Sequence, residues 1–321
     1  MITLNSRFCS TLDQWYREKK AFLFAIDFPG EKTLLFPLEE VPEEKVVFDV
    51  EGITNRSIRP LAISWHIEES VSWETYLHAF QKVQAYQRSG ENYLLNLTFP
   101  SKVWLSHDLW EIAYSVQSPY VLGVKGEFVV FSPESFITIE DNRISTFPMK
   151  GTLPATAETN VQSLLDDPKE QAEHIAIVDL LRNDLGMVCT EVSVRHYRYV
   201  QKINRGRGEL YQTSSHIEGK LKPHINLSDI FQAMLPAGSI SGVPKHRAIE
   251  IIREVEGYNR GWYTGVFGIF DGKKLSSAVM IRFLEQNENG IFYKSGGGIM
   301  IYSNPHKEYN ELLEKIYVPV F

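Results

Sequence analysis

Apolar residues recur along this chain with two different periods, and each period predicts its own kind of element. Residues 73–88 place theirs on one face of a helical repeat and stop before Gly90, the pattern of an amphipathic helix with a glycine terminator. Residues 21–27, 46–50 and 92–98 are short apolar runs, with Pro37, Pro42 and Pro60 punctuating the loops, and read as strands. Residues 128–131, 136–139 and 144–147 are three more, separated by Ser132-Pro133-Glu134-Ser135 and Asp141-Asn142 turns, which predicts a β-meander. The meander leads into residues 145–154, where Lys150 stands between an apolar run and a Gly-Thr pair, at the expected end of a strand. On those residues alone Lys150 is either an amine nucleophile beside a cleft or a solvated turn lysine. Glu134, on the first turn, could face the same cleft, because antiparallel neighbours bring distant strand ends together.

The helical period returns at residues 166–186. Asp167 can cap, Pro168 suits the first helical position, and Glu170 completes an Asp-x-x-Glu capping box. Ala172, Ile175, Ala176, Ile177, Val178, Leu180 and Leu181 then make the helix apolar nearly all round, which predicts burial on more than one side. Glu173 emerges among them and needs a partner, since an unpaired buried charge is costly. Glu170 and Glu173 share a helix face, as a capping acid beside a salt-bridged glutamate or as two carboxylates on one cation. Near the C-terminus Tyr309, Leu312, Leu313 and Ile316 form a core stripe that leaves Glu308 and Glu311 away from it, solvated or facing a cleft. In the second case four carboxylates surround an oxygen-loving divalent ion, and Mg2+ is the expected one.

Between these helices the small-residue loop 236–245 feeds a helix over 244–256, with Ala248, Ile251, Ile252 and Val255 as its stripe and Gly257 as its stop. Backbone N–H groups at such a start suit an anionic ligand. The loop lacks P-loop spacing, and Gly206-Arg-Gly lacks the third glycine of a dinucleotide fingerprint, so neither ATP nor NAD is expected. Arg282, on an expected strand over 278–284, and the Gly296-Gly297-Gly298 run add anion-binding elements, although the glycines alone equally suit a tight turn. Runs of strands with helices between them and few β-α-β alternations give an α+β class.

Composition changes the picture in a few places. With 321 residues and 43% hydrophobic content the chain can bury a large core. A net charge of −7 argues against a sequence-independent nucleic-acid binder, which needs a basic face. Cys9 and Cys189 lack disulfide or metal-ligand spacing and fit a reducing cytoplasm; without a glycine-rich elbow, Cys189 reads as core and not as a glutaminase nucleophile. No stretch approaches the roughly 18 uninterrupted apolar residues of a membrane span, so no membrane partner is expected. Without a repeat or linker, one domain is predicted over 1–321, its first 90 residues carrying little chemical signal.

Five segments occur in an order that carries a resemblance. They are Ser-Pro-Glu-Ser (132–135), Pro-Met-Lys-Gly-Thr (148–152), Ile-Val-Asp-Leu-Leu-Arg-Asn-Asp-Leu-Gly (177–186), Pro-Ala-Gly-Ser-Ile-Ser-Gly-Val-Pro-Lys (236–245) and Gly-Gly-Gly-Ile (296–299). Together, over roughly residues 90–318, the chain resembles the chorismate-utilising enzymes, and among them most resembles aminodeoxychorismate synthase component I. The resemblance implies two large packed antiparallel sheets with helices outside and a site in the cleft between the sheets' ends. It implies chorismate and ammonia as substrates, 4-amino-4-deoxychorismate as the product for para-aminobenzoate and folate synthesis, and a glutamine amidotransferase subunit as partner in a heterodimer.

The same resemblance implies roles for residues. Glu173 and Glu311 match Mg2+ ligands, with Glu170 and Glu308 beside them. Tyr263, Arg282 and the backbone at Gly297 match positions that hold the enolpyruvyl carboxylate, and Thr152, Gly238, Ser239, Lys245 and Gly298 match further substrate-binding positions. Lys150 is implied to attack C2 of chorismate as the C4 hydroxyl leaves, with Glu134 protonating that hydroxyl. Glu134 should therefore be protonated, and the Lys150 amine neutral with a depressed pKa. Anthranilate synthase component I, the alternative enzyme, usually has alanine where Lys150 stands; isochorismate and salicylate synthases use a lysine that falls at Leu94 here. One element departs from the pattern: a His-Leu-Val-Ser run is Gln212-Thr-Ser-Ser in this chain. An amide hydrogen-bonds without transferring protons, which argues against pyruvate elimination and keeps a non-catalytic binding subunit as a third reading.

Overall fold

Strands covered on both faces need no polar alternation, and Phe22–Ile26, Phe128–Ser132, Val266–Phe270 and Leu275–Val279 are buried at every position, Ser276 and Ser277 included. The structure, a computed structural model, describes residues 2–156, 161–204 and 209–319. Among these residues the strands form two nine-stranded sheets. Every pairing is antiparallel.

The first sheet runs in the order Met149–Pro154, Glu209–Leu221, Arg143–Thr146, Ser135–Glu140, Leu275–Val279, Val266–Phe270, Phe22–Ile26 and Thr33–Pro37, with Cys189–Asn204 also paired to Glu209–Leu221. The second runs Gly242–Val243, Leu94–Leu105, Gly290–Ile299, Phe283–Asn287, Phe128–Ser132, Tyr120–Val124, Val46–Val50 and Ile53–Thr54, with Trp65–Glu69 beside Leu94–Leu105. One buried cluster joins Phe24 and Ile137 of the first sheet to Leu97 and Ile299 of the second, and Phe80 and Leu181 from two helices close over it. This is the expected α+β arrangement of two large antiparallel sheets with helices packed on them.

The helices follow their start and stop signals. Trp73–Arg88 has the predicted bounds, capped by Ser72. The long helix Pro168–Val188 begins where Asp167 Oδ1 accepts from Glu170 N at 2.9 Å. It is not buried all round: Ile177, Val178 and Leu181 pack inward while Ile175 is exposed. Lys245–Val255 buries its predicted stripe, and Gly257 follows at φ +67°. Among the described residues no helix is long and apolar enough to cross a membrane. The Gly206-Arg-Gly element lies outside the described residues.

Four local expectations change. The meander is divided, because Phe128–Ser132 belongs to the second sheet while Ser135–Glu140 and Arg143–Thr146 belong to the first. Pro133-Glu134 is therefore a crossing between sheets and not a hairpin turn. Residues 278–284 are not one strand either: Leu275–Val279 ends in the first sheet, Phe283–Asn287 begins in the second, and Arg282 lies between them at φ +55°. Short apolar runs do not say which sheet receives them. The two crossings are tied together, Phe131 N donating to Arg282 O and Val279 N to Glu134 O, each at 3.1 Å. The triple glycine makes no turn but runs inside Gly290–Ile299, where a Cβ on Gly296 would stand 2.2 Å from Leu97 O. Finally, Lys150 lies within Met149–Pro154 and not at its end; the ladder slips between Lys150 and Thr152, around Gly151 at φ +71°.

Candidate active site

Both crossings open onto one cavity of about 460 Å³, to which Glu134 and Arg282 contribute directly. The edge strand brings Lys150 and Gly151 to it, the long helix brings Glu170 and Glu173, and the helix Pro305–Glu314 brings Glu311. Gly296, Gly297 and Gly298 form part of its wall, so that backbone faces the cavity where side chains would fill it.

Charge is concentrated here. Lys150 Nζ lies 3.3 Å from Glu173 Oε2, with side chains 19% and 6% exposed, so the pair is shielded from solvent. Burial pulls the Lys150 ammonium down, but the charges of Glu173, Glu134 and Glu170 outweigh it and hold the amine above its ordinary value. The expected depression is thus reversed, because the acids of the long helix face the lysine. Burial pushes the Glu134 carboxyl up, against the opposite pull of a Ser239 hydrogen bond and the charges of Lys150, Arg282 and Lys315. Its direction is the expected one. Burial also raises the Tyr263 phenol, which stays protonated. Arg282 stays charged, its guanidinium carbon 5.3 Å from the centre of the Tyr317 ring.

Three of the helical glutamates, from two elements, approach the triple-glycine strand, while Glu170 lies by Gly151, where a Cβ would stand 3.1 Å from its Oε2. A Cβ on Gly298 would stand 3.2 Å from Glu173 Oε2, and one on Gly297 would stand 3.4 Å from Glu311 Oε1 and 3.8 Å from Glu308 Oε2. Glu308 is buried and not solvated. This all-oxygen donor set, around a cradle that any Cβ would occupy, fits a hard divalent cation in kind. The acids are also engaged by lysines, Glu173 by Lys150 and Glu311 by Lys315 at 2.7 Å. Among the described residues no group of three or more His, Cys, Asp or Glu side chains is gathered as a metal site.

The sequence profile of the family described as "chorismate binding enzyme" matches residues 38–320. The chain belongs to this family. A "PabA-like protein" of Haemophilus influenzae, itself uncharacterised, is 44% identical over 317 residues, covering 98% of this chain and 96% of its own. The aminodeoxychorismate synthase component 1 of Klebsiella aerogenes is 33% identical over 261 residues, which cover 77% of this chain and 57% of that one. The fold is that of a putative 2,3-dihydroxybenzoate-specific isochorismate synthase from Bacillus anthracis, at a TM-score of 0.74 and 19% identity, covering 97% of this chain and 87% of the other.

Not every position suggested by the chorismate-binding pattern reaches the cavity. Ser239, Tyr263, Gly297 and Gly298 line it. Lys245 does not: its Nζ is held by Asp184 Oδ2 at 2.6 Å and Met234 O at 2.8 Å, behind the loop. Gly238 is turned to the long helix, where a Cβ would stand 2.7 Å from Leu180 Cδ2. Thr152 pairs with Gln212 across the ladder, while its side chain lies outside the described residues. Gln212 itself is a wall residue. Lys315, Asn96 and Tyr317 also line this chorismate-binding enzyme's cavity and were missed from sequence. Lys315 had a readable signal, four residues after Glu311 on the same helix face; Asn96 and Tyr317 had none.

Proposed function

We propose that this enzyme aminates chorismate at C4 to give 4-amino-4-deoxychorismate, the reaction of an aminodeoxychorismate synthase component I. The observation that carries this reading is Lys150, placed in the cavity between the acids of the long helix and Glu134 on the sheet crossing. Arg282 and Tyr263, with the backbone at Gly297, would orient the enolpyruvyl carboxylate through charge and hydrogen bonding. Glu134, whose carboxyl burial raises, would give its proton to the C4 hydroxyl, which leaves as water. In the same step the Lys150 amine forms a bond to C2 and the ring double bond shifts as the C4–O bond breaks. Ammonia then adds at C4, the double bond shifts back, and the C2–N bond to Lys150 breaks.

For that attack Lys150 must first release a proton to solvent, against the hold of Glu173, whose Oε2 lies 3.3 Å away. Glu170, Glu173, Glu308 and Glu311 would hold Mg2+, which when bound screens the ring carboxylate and offsets the negative charge around Lys150. Ammonia would come from a glutamine amidotransferase subunit, a reading supported by relatives named as component 1 of their synthases. Gln212 at the cavity wall can hydrogen-bond the substrate but cannot move a proton, which disfavours loss of pyruvate.

The test is mass spectrometry of the products made from chorismate, Mg2+ and an ammonium salt. We expect aminodeoxychorismate from the parent and none from Lys150→Ala. Glu134→Gln, which keeps the shape but not the proton, is expected to lose about 100-fold in kcat. Anthranilate from the parent would overturn the C4 reading in favour of anthranilate synthase, and binding of chorismate without turnover would point to a binding subunit.

A further inference from the structure

Arg260 is one of the largest fully buried side chains in the protein, and it is not part of the cavity wall. Its guanidinium nevertheless ties together several elements that are. Nη2 donates to Asn96 O at 2.7 Å and Nη1 to Ile240 O at 2.9 Å, the carbonyls of two wall residues on different elements. Ile240 O also accepts from Asn96 Nδ2 at 3.1 Å, so the strand Leu94–Leu105 and the loop before Lys245 are pinned at one point. Nη1 reaches Thr264 Oγ1 at 3.3 Å, and that hydroxyl donates to Tyr263 O at 2.5 Å. The Arg260 carbonyl accepts from Lys294 Nζ at 2.9 Å, on the strand that carries the triple glycine.

Glu256 holds the guanidinium in this orientation. Its oxygens accept from Nε at 2.8 Å and Nη2 at 2.5 Å, and one of them also accepts from Thr98 N and Oγ1, both at 2.9 Å. A planar fork can serve a carboxylate and two diverging carbonyls together; an ammonium cannot. Burying such a pair costs desolvation that its attraction barely repays, so stability alone is a poor account of it.

We propose that Arg260 is a positioning residue for the reaction. It fixes the loop at Ile240, and so the neighbouring Ser239 that hydrogen-bonds Glu134, relative to Tyr263, which also lines the cavity. The proposal rests on the reading that Glu134 is the proton donor at the reacting centre. Small misplacements of such groups are expensive, about 100-fold for a displacement of about 1 Å.

The experiment is a double-mutant cycle on Arg260→Lys and Ser239→Ala, with kcat and KM read from chorismate consumption in the presence of Mg2+ and ammonium, and with thermal melting alongside. Arg260→Lys is expected to lower kcat by roughly 10- to 100-fold with KM changed less than about 3-fold. The double variant is expected to lose no more than the worse single variant, because both changes free the same carboxyl. Multiplicative losses in the double, or a lowered melting temperature with unchanged kcat, would overturn the proposal. Should Arg260→Lys fail to fold, Thr264→Val removes one contact of the fork without changing its volume, and the same cycle with Ser239→Ala decides. Consumption of chorismate is independent of which product forms, so an unexpected product sinks the C4 reading while the cycle still judges Arg260.

Discussion

Lys150 shows what a single residue's surroundings do that its motif cannot announce. The motif gave its place in a cleft with Glu134, but the amine was expected near neutrality, and Glu173, Glu134 and Glu170 hold it charged instead. Two of those acids come from a helix that begins 18 residues later in the chain, a distance over which no local pattern speaks. Lys245 is the opposite case, a residue at a helix start that looked ready for an anion and is occupied by Asp184 at 2.6 Å. Burial raises the Asp184 carboxyl to about 6 against the pull of Lys245, and burial lowers the Lys245 amine. Lys245→Met should therefore destabilise the fold by about 3–5 kcal/mol, because it leaves a buried carboxylate unpaired, and Lys245→Met with Asp184→Asn should recover most of that loss. The sign with pH follows. A folded-state carboxyl pKa above the unfolded one favours the fold most at low pH, and this contribution fades as pH rises through about 6. Without the lysine the carboxyl rises further, so the deficit of Lys245→Met should be largest near pH 8 and shrink toward pH 5. Urea titrations at those two pH values measure it; a deficit equal at both would contradict the assignment.

At the scale of elements, periodicity found helices well and sheets poorly. Trp73–Arg88 was legible to the residue because one face repeats and Gly90 follows it. The strands flanking Glu134 were legible as strands, yet their assignment to different sheets was not, since pairing is decided by partners far along the chain. The triple glycine was ambiguous for the same reason. Its requirement comes from the strand Leu94–Leu105, which leaves no room at Gly296 for a Cβ. Gly296→Ala should force these two strands apart and cost about 1–3 kcal/mol or more. Its melting temperature, compared with that of Gly52→Ala, where nothing lies within 4 Å of the added Cβ, separates crowding from lost glycine freedom. At Gly52 the φ of +92° alone disfavours alanine, so an equal loss at the two sites would remove the crowding argument.

For the whole molecule, one of the buried apolar clusters among the described residues spans both sheets and the helices over them, which ties their unfolding together. Calorimetry and far-UV circular dichroism should report a single coincident transition; two separated transitions would divide the chain into independent units. The cavity itself draws on both sheets. Met149–Pro154, with Lys150, is bonded along one flank only, to Glu209–Leu221. Gly290–Ile299 pairs with Leu94–Leu105 as far as Ile299 but with Phe283–Asn287 only as far as Lys294, so its triple glycine is also bonded along one flank. The cleft therefore lies where the pairing of each sheet runs out, at the meeting of two margins. A molecule held there touches both sheets at once, so any slide of one sheet against the other would reshape the site.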